Sequence, residues 1–173
     1  FKLFRNLAAA LCCIAAQAVG ANSGARSAAE DSLLGAYDAY RAGDPVKFAK
    51  HAARIEGHLL EPWLDYWRLS MRLEDASNRE AREFFAKYPN DYVSERLRSD
   101  WLRVLGKRAD WTEFDRQSPL YTRDDLEVAC YRWSSRIERG DELALADAMA
   151  MWLEPVELPE GCQRLSLTLS ARG

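Results

Sequence analysis

Large aromatic side chains recur at helical spacing on several short, consecutive segments within residues 61–114, and this feature constrains the fold more than any other. Trp63, Tyr66 and Trp67 share one segment, Phe84 and Phe85 the next, Trp101 a third, and Trp111 and Phe114 a fourth. A short helix cannot bury that much ring surface alone. Stacked helix pairs can, because neighbouring pairs share one continuous core.

The punctuation between the apolar runs supports the same architecture. Leu33, Tyr37 and Tyr40 share a face of a first helix that ends at Gly43, after which Asp44 and Pro45 supply a cap and a first turn. The second helix carries Phe48, Ala52, Ile55 and Leu59 at i, i+4, i+7 and i+11. A third begins near Pro62, with Trp63, Trp67, Ser70 and Met71 on one face. Ser77 and Glu80 form a capping box for a fourth, which holds Phe84 and Phe85 and stops before Tyr88-Pro89. The fifth starts near Ser94, turns Leu97, Trp101, Val104 and Leu105 inward, and is expected to end at Gly106. Asp110 caps a short sixth. After Ser118-Pro119, residues 122–125 open a longer helix with Leu126, Cys130, Trp133 and Ile137 on one stripe, closed by Gly140. A last helix follows Asp141, with Leu145, Met149, Trp152 and Leu153 inward and Pro155 at its end. No segment alternates with period two between hairpin signals, so the expected class is all-α, an irregular superhelix or α-solenoid of short antiparallel helix pairs.

Residues 1–21 read as a signal peptide. Lys2 and Arg5 precede an apolar run at 7–19 that is too short to span a membrane, which takes about 20 residues. Small-x-small cleavage sites follow Ala18 and Ala21, and the second is preferred because polar Asn22-Ser23-Gly24 comes next. Residues 22–28 read as a mobile lead-in. The expected location is therefore the periplasm, with no membrane anchor, since neither Cys12 nor Cys13 follows a lipid-attachment triplet. Losing Lys2 and Arg5 takes the formal charge from −3 to −5, which argues against nucleic acid as a partner. Of the cysteines only Cys130 and Cys162 remain after processing, and an even pair without redox or metal spacing in an exported chain is read as a disulfide.

Few residues suggest chemistry. His51 and His58, the two histidines, would lie about 10.5 Å apart on one helix, too far to share a metal. No cofactor or metal site is expected. Most of the six tryptophans fall on the apolar stripes, so core packing is preferred to sugar stacking. Tyr88, Tyr92 and Tyr121 fall in loops and are the better candidates for surface contacts. Arg96, Arg103 and Lys107, at i, i+7 and i+11, form a basic stripe that suits the carboxylates of cell-wall peptides, although a solvated face laced with Glu95 and Asp100 accounts for it more simply. Asp124-Asp125 reads as a helix start.

Several short motifs occur in the order found in a known family. They are Ala42-Gly43-Asp44, the run Gly57-His58-Leu59-Leu60-Glu61-Pro62-Trp63-Leu64-Asp65-Tyr66-Trp67, and Tyr88-Pro89 followed by Arg96-Leu97-Arg98-x-x-Trp101-Leu102. Trp111-x-x-Phe114 and Cys130-Tyr131 with a later Leu158-Pro159-x-x-Cys162 complete the series. In this the chain resembles the N-terminal, superhelical U-shaped domain of the soluble lytic murein transglycosylases. That resemblance implies a partner, the glycan strands of peptidoglycan, and a reaction, non-hydrolytic cleavage between N-acetylmuramic acid and N-acetylglucosamine to a 1,6-anhydro product. In the family the reaction belongs to a later, goose-lysozyme-like domain whose catalytic glutamate precedes a serine. No Glu-Ser pair occurs in this sequence, so no catalytic residue carries over and the chain alone is expected to be inactive.

The resemblance covers a helical domain at 29–162 and stops there. Residues 163–173 read as a divergent or truncated tail with no partner helix, and the whole as a fragment lacking the catalytic domain. The alternative function, from another class, is a free-standing periplasmic helical-repeat adaptor that binds proteins or peptides.

Overall fold

A computed structural model of the chain describes residues 27–150 and 157–172. The predicted signal peptide, most of the lead-in, Trp152, Leu153 and Pro155 lie outside the described residues. Within them the fold is all-α, with nine α-helices, two short 3-10 turns and no strand. The helices are α1 (Ala28–Arg41), α2 (Pro45–Ala52), α3 (Glu61–Ser70), α4 (Asn78–Lys87), α5 (Tyr92–Arg108), α6 (Trp111–Gln117), α7 (Leu126–Glu138), α8 (Glu142–Ala150) and α9 (Glu160–Arg172). No described helix is long and apolar enough to cross a membrane.

The odd-numbered helices form a row. Each packs on the next, α1 on α3, α3 on α5, α5 on α7 and α7 on α9, while α2, α4, α6 and α8 fold back on their sequence neighbours. This is the stacked-pair arrangement that the aromatic segments require. The main core runs along the row from Ala36 and Phe48 through Leu64, Trp67, Leu97, Trp101 and Leu105 to Phe114, Val128 and Tyr131.

Local capping chemistry sets most helix starts. Ser27 opens α1 with a capping box, its hydroxyl accepting from the Glu30 amide at 3.2 Å, so the helix begins at Ala28, inside the stretch read as lead-in. Ser77 and Glu80 do the same for α4. Asp44, Asp110 and Asp125 each accept a backbone N–H three residues further on, at Lys47, Glu113 and Val128 respectively. Gly43 and Gly140 stand at φ +65° and +82° after α1 and α7, as their sequence positions suggest.

Five expectations change. α2 stops at Ala52, and tight i+3 turns through Arg54 and Ile55 bring Ile55 into the core while leaving Leu59 89% exposed. His58 is therefore not on the helix of His51, and their helical separation does not apply. On α1 the buried stripe is Ser32, Ala36 and Ala39 rather than the larger Leu33, Tyr37 and Tyr40, because α2 approaches closely: a Cβ on Gly35 would sit 2.5 Å from the His51 ring.

Gly106 is not a cap. α5 continues to Arg108 and ends on Ala109 in the left-handed region at φ 55°. Gly106 instead lets α7 pack against α5, since a Cβ there would lie 2.3 Å from the Tyr131 ring. The expected tail is also a helix: α9 starts at Glu160 and packs on α7, with Cys162, Leu165 and Leu169 at i, i+3 and i+7 facing a second, smaller core. Cys130, Ile137, Ala144 and Ala148 complete that core, and a disulfide joins Cys130 to Cys162 with their Cα atoms 5.0 Å apart.

Candidate functional site

Each member of the basic stripe of α5 has a partner within the fold. Arg96 donates from Nε to the Tyr66 hydroxyl at 3.2 Å, and that hydroxyl donates to Asp100 at 2.9 Å. Burial, with the Asp100 charge adding to it and Arg96 opposing, pushes the Tyr66 phenol up to about 12. Arg103 reaches Glu127 at 3.0 Å and Ser99 at 2.8 Å and pairs with Asp125, which ties α5 to α7. Lys107 pairs with Glu160 of α9 at 2.9 Å, and that bond raises its pKa.

A groove of about 490 Å³ beside Arg103 and Lys107 is lined by Glu74, Asp100, Glu127 and Glu160. Four carboxylates against two cations make it acidic, so it does not suit peptide carboxylates, the less favoured of the two readings of the stripe. The reason is cross-helix pairing: the partners of Arg103 and Lys107 come from α7 and α9, which spacing on α5 alone does not reveal.

The three loop tyrosines separate. Tyr121 is only 6% exposed, its hydroxyl against Ser99 at 3.2 Å and Asp125 at 3.4 Å, so it is a packing residue and not a surface contact. Tyr88 is half-buried against Phe84 and donates to Asp65 at 2.6 Å. Burial pushes the Asp65 carboxyl up, but the hydrogen bonds from Lys87 and Tyr88 outweigh it and leave the pKa lowered. Tyr92 remains open to solvent, 52% exposed at the start of α5.

Tyr92 also ends a run of rings that the sequence did not disclose. Along α1, α3 and α5 the centroids step from Tyr37 to Trp67 in 5.2 Å, from Trp67 to Trp63 in 6.1 Å and from Trp63 to Tyr92 in 6.0 Å. Tyr40 stacks on Trp67 at 5.7 Å and 20°. Trp67 is 9% exposed and anchors the run, Trp63 and Tyr40 are half-buried, and Tyr37 is 39% exposed. Helical periodicity correctly assigned Trp67 and Trp101 to the core. It could not show that the edge of the same stripe, with Trp63, reaches the surface.

Among the described residues the carboxylates with displaced pKa values all lie low. Glu113 is the most buried carboxylate, held by Arg82 at 3.4 Å, by Arg116 and by Gln117 at 2.8 Å, which makes it an ion-pair hub joining α4 and α6. Asp44, Asp65, Glu80 and Asp141 all have lowered pKa values. Glu80 is brought down to about 2, first by the Ser77 backbone N–H and then by Arg72. A glycosidic general acid needs the opposite displacement. Among the described residues no group of three or more His, Cys, Asp or Glu side chains gathers as a metal site. The His58 ring accepts the Leu60 amide at 3.1 Å, where it helps to open α3.

No protein-family model matches the sequence, and no curated protein matches it. Among the solved structures that share its fold are two lytic transglycosylases. The 70 kDa soluble lytic transglycosylase of Escherichia coli superposes on 83% of this chain with a TM-score of 0.64 at 19% identity. The lytic transglycosylase Slt of Pseudomonas aeruginosa, solved as an inactive mutant, superposes on 86% with a TM-score of 0.64 at 23% identity. This chain spans only 23% and 24% of those two proteins, so what it shares with them is the fold of a helical region about a quarter of their length.

Proposed function

We propose that this chain is part of the helical scaffold of a periplasmic lytic transglycosylase, exported by the signal peptide at 1–21, and that its own residues hold peptidoglycan glycan strands without cutting them. The observation that carries this reading is the fold shared with two lytic transglycosylases over more than four fifths of the chain. The ordered motifs from Ala42 to Cys162 support it independently. In this reading, cleavage between N-acetylmuramic acid and N-acetylglucosamine comes from a catalytic domain outside these residues. The carboxylates agree with that division: Glu113 is locked between guanidiniums, and Glu80 and Asp65 hold protons more weakly than usual.

The test is incubation of the purified chain with intact sacculi. Bound protein is followed by sedimentation, and released 1,6-anhydromuropeptides by mass spectrometry. The chain is expected to sediment with the sacculi and to release no anhydro product. Catalytic release would overturn the scaffold role, and failure to sediment would favour a helical-repeat adaptor for protein or peptide partners.

A further inference from the structure

We propose that Tyr37, Tyr40, Trp63 and Tyr92, rimmed by Arg41, Arg96 and Arg123, form a docking strip for an acidic, N-acetylated glycan strand. The choice of ligand rests on the function proposed above, while the strip itself rests on geometry. Its rings come from α1, α3 and α5, so it exists only once the helical row has assembled.

Aromatic clusters that serve only packing bury their members, as Trp101 and Phe114 are buried here. This run instead opens at both ends, through Tyr37 and Tyr92, and is anchored beneath by Trp67. Rings fixed in that way lose little conformational freedom when a flat ligand stacks on them. Pyranose rings offer such a ligand, since the C–H groups of one face are apolar and the hydroxyls at the rim are polar.

The polar rim carries guanidiniums at both ends, with the carboxylates of Asp91, Glu95 and Asp100 beside its Tyr92 end. Arg41 lies over the Tyr37 ring at 6.0 Å. Arg96 donates to Tyr66, whose ring lies 5.8 Å from that of Trp63, and Arg123 has its pKa raised by Tyr92 and Glu95 beside it. The Arg96 guanidinium uses its Nε on a phenol and keeps further N–H donors. A strand with lactyl carboxylates and acetamido carbonyls at every repeat supplies acceptors for them. A proline-rich segment, the other common occupant of aromatic grooves, has no charge to pair with that rim.

Glycan strands freed from their peptides by an amidase carry lactyl carboxylates and are the probe, with the neutral pentamer of N-acetylglucosamine and a proline-rich decapeptide beside them. Tryptophan emission of the full chain reports stacking near Trp63. The acidic strands are expected to bind more tightly than the neutral pentamer, and Tyr37→Ala/Tyr92→Ala to weaken both by about tenfold or more. Arg96→Gln/Arg123→Gln should weaken only the acidic strands, and Tyr92→Trp should retain binding. Circular dichroism and thermal melting check that each variant stays folded. Unchanged affinity in the tyrosine double variant, no binding by the parent chain, or preference for the proline-rich peptide overturns the strip. Sedimentation with sacculi decides the scaffold role separately, because it can persist in the tyrosine variant.

Discussion

The two cores of the molecule are built from different materials. The larger one, shared by α1 to α7, is filled by rings and long aliphatic side chains, with Leu97, Trp101, Leu102, Leu105 and Phe114 wholly buried. Among the described residues the smaller one, between α7, α8 and α9, buries Ile137, Leu165, two alanines and the two sulfurs of Cys130 and Cys162, with Trp133, Leu145, Leu158 and Leu169 only partly buried against it. Apolar burial stabilises in proportion to area, so the first core draws on the larger buried volume, while the second adds a covalent staple to a smaller one. The same contrast bears on function. The proposed strip belongs to the ring-filled end of the row, where the positions of Trp63 and Tyr92 follow from deep packing.

The comparison is broken most severely by emptying the first core. Trp101 is fully buried, with Arg108 over its ring at 5.2 Å, and Trp101→Ala should cost roughly 3–5 kcal/mol. Urea denaturation followed by circular dichroism reads this as a large fall in midpoint. A cost below about 1 kcal/mol, within the range of ordinary surface substitutions, would mean that the rings are not the chief support of this region.

A smaller effect concerns how α4 is held to that core. The Glu80 carboxyl is depressed from 4.5 to about 2 by the Ser77 amide and Arg72. A depressed pKa contributes stability that is complete above 4.5 and is lost as pH falls through about 2. Glu80→Gln should therefore lower the urea midpoint near neutral pH, and the gap from the parent chain should close as pH approaches 2. A gap that stays constant across that range would remove the ionised capping box from the account. Ser77→Ala should cost about 1 kcal/mol, because it deletes the reciprocal half of the box.

Much of the fold was legible because its signals are local. Ser77 and Glu80, Asp44 before Pro45, Asp110, Asp125 and the glycines 43 and 140 act on atoms within a few residues, and sequence spacing displays such chemistry directly. Gly106 was misread because its role is set by Tyr131, a residue far along the chain, and not by the helix it sits in. Tyr121 was misread for the same reason: its loop position suggests exposure, while Ser99 and Asp125 hold it inside. α9 was missed because the family resemblance stops at Cys162 and the run after it, taken alone, shows no partner for its leucines. Leu167 points outward at 72% exposure, and the working stripe is Cys162, Leu165 and Leu169. For the candidate site, Tyr92 was found as a loop aromatic, but its continuity with Trp63, Trp67 and Tyr37 arises only when three helices meet.

The division between a ring-supported body and a stapled end is tested most directly by amide hydrogen exchange on the full chain, oxidised and then reduced. The disulfide closes a sequence separation of 32 residues, for which the chain-entropy estimate is about 3–4 kcal/mol. Reduction should strip protection from α8 and α9 by a large factor and leave α1 and α3 to α6 nearly unchanged. Equal loss of protection in both regions, or none in either, would contradict the account.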